Sequence, residues 1–364
     1  MQAPLAATLT RWFKLRLAAT LVERPAFWAH AQRRRSMPVL CYHRIDDQAD
    51  ALGLAVSRAE FAHQMQALAE SPHLRPVSAA EYLEIWQGRR RYGPGIPVLV
   101  SFDDGFRDNL TEAAPVLKRH GVPAILFVAT DLLQGRPPWY DLVERMVWAG
   151  QAPALWHALK SQGLIDNKTP LPAGASALVD ALLALDGARF AAAVQTLNSL
   201  PSAQALAQTL GSRYLDAPGL LEWAAAGLEV GAHTCTHPRL TALTSAAVDW
   251  EMAKSKRQLE TLLGRPVLHF AYPFGRQGDF TADHARAAAR LGYAMAFTTL
   301  QGSNQVGDDA FGVRRKCVNS GLFSRPGQAF SSALFFADLM GLGADLKRGL
   351  TRTTTTHPCP SPLR

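Results

Sequence analysis

Six short apolar runs, each followed by a turn and a helix-like stretch, predict an α/β fold built on a parallel sheet, either open or closed into a barrel. Polar residues of catalytic type cluster at the C-terminal ends of four of these runs, where active sites collect in parallel α/β folds. The bulk composition agrees, since 364 residues with 48% hydrophobic and 19% charged content suit one large domain or a domain carrying an insertion.

The runs are 38–43 (PVLCYH), 96–102 (IPVLVSF), 122–128 (VPAILFV), 228–232 (LEVGA), 267–272 (VLHFAY) and 293–298 (YAMAFT). Between them, 109–120 reads as a helix with Asp108 at its N-cap, stopped by Gly121 and Pro123. Residues 245–263 read as a second helix, with Val248, Met252, Leu259 and Leu263 on one face and Gly264 and Pro266 beyond its end. Residues 141–220 break the rhythm, being rich in Ala and Leu with no strand-like run, and are expected to form a helical insertion. The main domain is expected to span 37–325. A basic segment, 1–36, precedes it, and a Pro-rich tail, 326–364, follows it with a low-complexity stretch at 353–356 that is expected to be disordered.

The net charge of +8 resides at the ends: residues 1–36 carry +6 and residues 341–364 carry +3, which leaves the body at −1. A nearly neutral body is a poor electrostatic footprint for nucleic acid, so no nucleic-acid partner is expected. Basic ends suit an anionic membrane surface. Leu5, Leu9, Trp12, Phe13, Leu17 and Leu21 fall on one half of a helical wheel, with Arg16 inside the stripe, so either peripheral membrane contact or packing on the domain fits. Charged residues interrupt every apolar run near the N-terminus, and no stretch approaches membrane-spanning length, so the expected location is cytoplasmic, peripheral at the inner membrane face if the N-terminus binds lipid. Cys41, Cys235, Cys317 and Cys359 lie far apart in sequence, which suggests neither a disulfide framework nor a thiolate zinc site.

The chemistry concentrates in a few residues. Asp103 and Asp104 follow IPVLVSF, His233 follows LEVGA, Pro273 and Phe274 follow VLHFAY, and His43 ends PVLCYH. His233 and His237 are four apart, a spacing that puts two imidazoles on one face of a helical turn. Asp104 adds an anionic ligand and leaves coordination positions open for water and substrate. Asp103, beside a ligating carboxylate, reads as a base. Tyr272, Phe274, Trp139, Tyr140 and Trp223 are either core aromatics or the walls of a substrate cleft on which flat or ring-shaped groups stack. Cys235 reads as a small buried thiol, and His63, His73, His120, His157, His269 and His284 as structural.

Residues 101–105 (SFDDG), 233–238 (HTCTHP) and 272–275 (YPFG) resemble, in order, three motifs of the NodB-homology polysaccharide deacetylases, carbohydrate esterase family 4. The resemblance covers roughly 38–130 and 220–320 and leaves the ends and the insertion unmatched. It implies a distorted (β/α) barrel and hydrolysis of an N-acetyl group on an amino sugar. Asp104, His233 and His237 would hold a divalent metal, zinc first, with cobalt, nickel or manganese as alternatives. It also implies Asp103 as base and the Phe274 N–H, in the Tyr272, Pro273, Phe274 loop, as an oxyanion donor.

Two departures stand out. The family's Arg two residues before the motif Pro is Ala271 here, which leaves Arg314 or Arg315 to brace the base. The late Leu-x-His acid is absent around 313–319, but residues 41–46 (CYHRID) are similar to the exopolysaccharide and poly-N-acetylglucosamine deacetylases whose acid histidine precedes the Asp-Asp motif, making His43 the candidate. The expected function is deacetylation of a cell-surface polysaccharide or its precursor. Two rivals are a deacylase or deformylase of a lipid-linked amino sugar, and a sugar-binding pseudoenzyme that has lost turnover.

Overall fold

A computed structural model describes residues 19–48, 51–318, 323 and 330–342. The N-terminal half-wheel lies outside the described residues except for Leu21, and the 353–356 stretch lies outside them entirely.

After helix α1 (Pro25–Arg33), the chain lays down a parallel sheet. Its strands are β1 (Val39–Tyr42), β4 (Leu74–Pro76), β5 (Ile96–Asp104), β6 (Ala124–Val128), β7 (Glu229–Ala232), β8 (His269–Ala271), β9 (Met295–Phe297) and β10 (Lys316–Cys317). The order is β10-β1-β5-β6-β7-β8-β9, with β4 paired to the start of β5. A small parallel pair, β2 (Arg44–Ile45) with β3 (Ala55–Val56), stands apart. The six expected runs all contain a sheet strand, while β2, β3, β4 and β10 are too short to leave an apolar run in the sequence.

Both edges of the sheet bond to one segment. Val313 bridges Phe297 at the β9 edge, and Lys316 and Cys317 pair with Leu40 and Cys41 at the β1 edge. The sheet therefore curls into the distorted barrel that was expected. Its interior holds Val39, Leu99, Ile125, Phe127, Ala271, Met295, Phe297 and Val313, the alternate residues of successive strands. The opposite faces, including Leu40, Val100, Phe102, Leu126 and Phe270, pack against the surrounding helices.

Those helices include α2 (Arg58–Glu70), α3 (Ala79–Trp86), α4 (Ala114–His120), α10 (Ala217–Ala225), α11 (Ser245–Leu263) and α12 (Ala282–Arg290). Helix α11 starts at the Thr244 cap, ends at Gly264 in the left-handed conformation, and buries Val248, Met252 and Leu259 as its spacing predicts. The expected 109–120 helix differs at its start. Residues Asn109–Ala113 form a π turn, with the Ala114 N–H bonding back to the Asn109 carbonyl, because Pro115 has no N–H for an ordinary helical ladder. Asp108 caps nothing, since its carboxylate is bound to Arg44 and to the Ile45 N–H.

Residues 139–210 hold α5 (Trp139–Trp148), α6 (Ala152–Ser161), α7 (Ala175–Leu183), α8 (Gly187–Ser199) and α9 (Pro201–Leu210). They form their own hydrophobic cluster around Val143, Met146, Leu155, Leu178 and Leu197. In the segment read as a tail, α13 (Ser332–Leu339) sends Phe335 into the main core. Among the described residues no helix is long and apolar enough to cross a membrane.

Candidate active site

The C-terminal mouth of the barrel gathers the residues singled out by the sequence. Strand β5 is buried along its whole length and ends in Asp103 and Asp104. By strand alternation Asp103 falls in register with the interior residues Leu99 and Ser101, and Asp104 would turn outward with Phe102. Asp104 leaves the strand conformation instead, at φ +75°. Of the five non-glycine residues with positive φ among the described residues, four are Asp104, Thr234, His237 and Phe274. Backbone strain of this kind costs roughly 1–3 kcal/mol per residue and persists where the surroundings hold it.

The loop after β7 brings His233 and His237 to Asp104. His237 Nε2 is 3.3 Å and His233 Nε2 3.6 Å from Asp104 Oδ1. The expected helical turn is absent. Residues 233–238 form an irregular loop in which positive φ at Thr234 and His237, not helical periodicity, aims the two rings. Hydrogen bonds hold the loop: the Thr234 hydroxyl bonds to the His233 carbonyl, the His237 N–H donates to that hydroxyl (3.1 Å), and the Thr130 N–H donates to the Thr234 carbonyl (3.1 Å).

Beside this triad, Arg315 donates to both oxygens of Asp103 at 2.7 Å, a bidentate pair buried in the barrel. Arg315 is delivered by the segment that closes the sheet between β9 and β1. Its neighbour Arg314 instead donates to the Gln301 carbonyl, so of the two candidates only Arg315 reaches Asp103. His43 lies at the end of β1, and a ring nitrogen, the Cys41 sulfur and an Asp103 oxygen all lie within 4.8 Å of one another. Phe274, at φ +59°, packs its ring 4.8 Å from that of His237, and its N–H has no partner among the described residues. Gly275 makes this turn possible: at φ +62°, a Cβ there would sit 2.8 Å from the Thr299 nitrogen.

The sequence profile of the family described as polysaccharide deacetylase matches residues 91–163 and 192–296, a span holding both aspartates, both histidines and Phe274. The chain belongs to the polysaccharide deacetylase family. The match runs into both ends of the helical segment, so the part outside it is 164–191, shorter than the 141–220 stretch set aside as unmatched. Bacillus subtilis (strain 168) YxkH, which carries the same family description, is 21% identical over 306 residues, 84% of this chain and 78% of that protein. Two solved structures share the fold. The Streptococcus pyogenes deacetylase PplD in complex with acetate has a TM-score of 0.56 at 18% identity, over 84% of this chain and 98% of that one. IcaB from Ammonifex degensii has a TM-score of 0.53 at 22% identity, over 84% and 97%.

In this deacetylase the triad's chemistry fits a divalent cation. His233 Nδ1 meets the Ala271 carbonyl at 2.8 Å, and a carbonyl only accepts, so Nδ1 carries the hydrogen and Nε2 presents its lone pair toward Asp104. Burial pushes the His233 pKa down to about 4, which keeps the ring neutral. Tyr140, from α5, donates to Asp104 Oδ2 at 2.8 Å and leaves Oδ1 buried with no hydrogen-bond partner. Burial alone would raise the Asp104 pKa, but His237, His43 and His233 outweigh it and hold the carboxyl below its usual range. An orphaned anionic oxygen facing two imidazoles is what a cation site requires. Asp103 likewise stays ionised: burial would raise it, and the Arg315 guanidinium, with help from His233 and His43, brings it below the ordinary carboxylate value.

Two positioning residues escaped the sequence reading. Tyr140 was one of several undecided aromatics, and its link to Asp104 depends on how α5 docks on the barrel. Glu251 sits on the buried face of α11 and accepts from the Cys235 N–H (2.7 Å), the Thr236 N–H (3.1 Å) and the Thr236 hydroxyl (2.6 Å), bracing the histidine loop. A signal for Glu251 existed, since a lone acid between Val248 and Met252 on an apolar face needs a buried partner. Other aromatics resolve as core: Trp223 donates to the Glu229 carbonyl, and Tyr272 stacks on Phe280. Cys235 is buried.

A cleft of about 320 Å³ opens over these groups. His43, Asp103, Asp104, His233 and His237 form its floor, while Leu52, Leu54, Val179, Leu183 and Phe274 supply apolar wall. Asp180 and Arg276 stand at its rim, 3.4 Å apart.

Proposed function

We propose that this chain hydrolyses the N-acetyl group of an amino sugar in a cell-surface polysaccharide or its precursor, with a divalent metal held by Asp104, His233 and His237. One observation carries the reading: a buried, Arg-paired carboxylate lies next in sequence to a ligand triad whose Asp104 oxygen lacks any hydrogen-bond partner. When bound, the metal supplies Lewis acidity that polarises the amide carbonyl and acidifies water. Zinc is the first expectation for this O, N, N set, with cobalt, nickel or manganese as alternatives.

Asp103 accepts the proton of the attacking water, whose oxygen bonds to the carbonyl carbon. Arg315 holds the carboxylate ionised and fixes its plane. The unpartnered Phe274 N–H, in the loop with Tyr272 and Pro273, donates to the developing oxyanion. His43 protonates the nitrogen as the C–N bond breaks, releasing acetate and the free amine. Because Arg315 fills the role left vacant at Ala271, the bracing arginine that a pseudoenzyme would lack is present.

The apolar wall from Leu52, Leu54, Val179 and Leu183 favours a second reading, a lipid-linked amino sugar that sets its hydrocarbon against that wall. Acetate release from chitooligosaccharides, measured with bound metal on the same preparation, tests the first reading. His233→Ala and His237→Ala should lose metal and turnover together, since two remaining ligands hold a divalent ion poorly. Full activity after chelation and dialysis would sink the metal assignment. Higher turnover on a lipid-linked than on a free amino sugar would select the second reading.

A further inference from the structure

Cys41 and Cys317 stand far apart in sequence and meet in the barrel, as direct partners in the parallel β1–β10 register. Residues paired in this way point to the same face and sit about 4.8 Å apart, within the Cα separation that a disulfide spans. The face is the interior one: Cys41 is also paired with Ser101, and its sulfur lies 3.5 Å from Asp103 Oδ2. The two thiols are hydrogen-bonded to each other, so their sulfurs already meet. Cys41 is fully buried, whereas Cys317 is half-buried and lines the cleft, so a small solute reaches one sulfur and not the other.

We propose that Cys41 and Cys317 form a reversible oxidation site, closed to a disulfide by hydrogen peroxide entering through the cleft, and that its closure stops turnover. Cys317 is the attacking sulfur. Its hydrogen bond with Cys41, helped by the His43 ring and the Arg315 guanidinium, holds its thiol below the ordinary value against the effect of burial, while burial pushes the Cys41 thiol up. The Cys317 thiolate attacks one peroxide oxygen, the O–O bond breaks, and the departing hydroxide takes a proton and leaves as water. The Cys41 sulfur then displaces the hydroxyl of the sulfenic acid; its thiol proton goes to that hydroxyl, which leaves as a second water, and the S–S bond forms. Two electrons pass from the sulfurs to the peroxide. The product is neutral, so the buried Arg315–Asp103 pair keeps its charge balance. What changes is position. Closing to a bond of about 2.05 Å draws β10, which follows Arg315 directly, toward β1, which ends beside His43. Both residues belong to the proposed proton-transfer machinery, where a shift on the order of 1 Å can cost about 10²-fold. The loss of turnover therefore rests on the deacetylase reading; the disulfide does not.

Protein loaded with zinc, which has no redox chemistry of its own, is treated with hydrogen peroxide, capped with an alkylating agent and digested without reductant. Mass spectrometry should find the Cys41 and Cys317 peptides joined. Turnover, read against each variant's own untreated rate, should fall roughly 10²-fold and return with a dithiol reductant. Cys317→Ala should keep its rate under peroxide. Cys41→Ala leaves Cys317 without a resolving thiol, so its oxidation should run on to sulfinic acid, which a dithiol does not reverse. The linkage is read on wild type alone, so it decides the matter even if a variant fails to fold. A Cys317 thiol that survives a large excess of peroxide overturns the proposal, as does its oxidation in wild type without linkage to Cys41, or linkage that leaves turnover unchanged. If the peptides link but neither treated nor untreated protein releases acetate, the oxidation site stands and the deacetylase reading is what fails.

Discussion

At the scale of single residues, two proton-transfer roles are separable by the leaving group. Asp103→Asn keeps the shape of the side chain but cannot accept a proton, so on the proposed mechanism turnover should fall roughly 10²- to 10⁴-fold on both an N-acetyl sugar and an activated aryl acetate. His43→Ala should cost far more on the amide than on the aryl ester, because an amine needs protonation to depart and an aryl alkoxide does not. Equal losses on the two substrates would remove His43 from the acid role. Arg315 makes a third test. With the guanidinium gone in Arg315→Met, the largest influence opposing the burial of Asp103 is lost and its pKa rises, so the acidic limb of kcat/KM should move to higher pH. The sign for stability follows: the pair's contribution is present above the unfolded carboxylate pKa and is lost as pH falls through the depressed folded value. Breaking so buried a pair should also cost about 3–5 kcal/mol at neutral pH in denaturant unfolding. Arg315→Lys, which keeps the charge, should move the limb less.

Among elements, the informative contact is between α11 and the histidine loop. Glu251 satisfies two N–H groups and a hydroxyl of that loop, so Glu251→Leu strands buried donors and frees the loop to move. Metal affinity should weaken roughly 10- to 100-fold, as expected for loss of a group that orients ligands. Equilibrium titration with Zn²⁺ against a competing chelator measures this, and unchanged affinity would show that the loop holds its shape unaided. The sequence announced α11 in full, because 245–263 carries both a cap and an apolar face. It did not announce the loop. Spacing of four suggested a helical turn, whereas positive φ at Thr234 and His237 sets the rings, and a backbone conformation of that kind leaves no periodic trace. The π turn at Asn109–Ala113 had a readable cause in Pro115, which the helix assignment passed over.

For the whole molecule, the barrel interior holds a pH-sensitive group that does not line the cleft. His269 on β8 is buried, and burial pushes its pKa down to about 4. Its neutral form therefore stabilises the fold above the unfolded value near 6.5, and that stability is lost as pH falls through the window toward 4. The shift corresponds to roughly 3 kcal/mol for this buried ring. His269→Leu should show a shallower decline of Tm between pH 6.5 and 4 than wild type, and an identical decline would assign the acid sensitivity elsewhere.

The sequence by itself determined the parallel α/β class, the C-terminal placement of the reactive groups and the family, because buried strands write continuous apolar runs and the three motifs are local. Tertiary structure decided what depends on chain segments meeting across long separations. Arg315 reaches Asp103 over 212 residues because the last segment of the barrel bonds to both sheet edges. Tyr140 meets Asp104 because α5 docks over the barrel mouth. Choosing Arg315 over its neighbour Arg314 needed the closed barrel, since two adjacent identical residues differ only in the direction the closing segment makes them face.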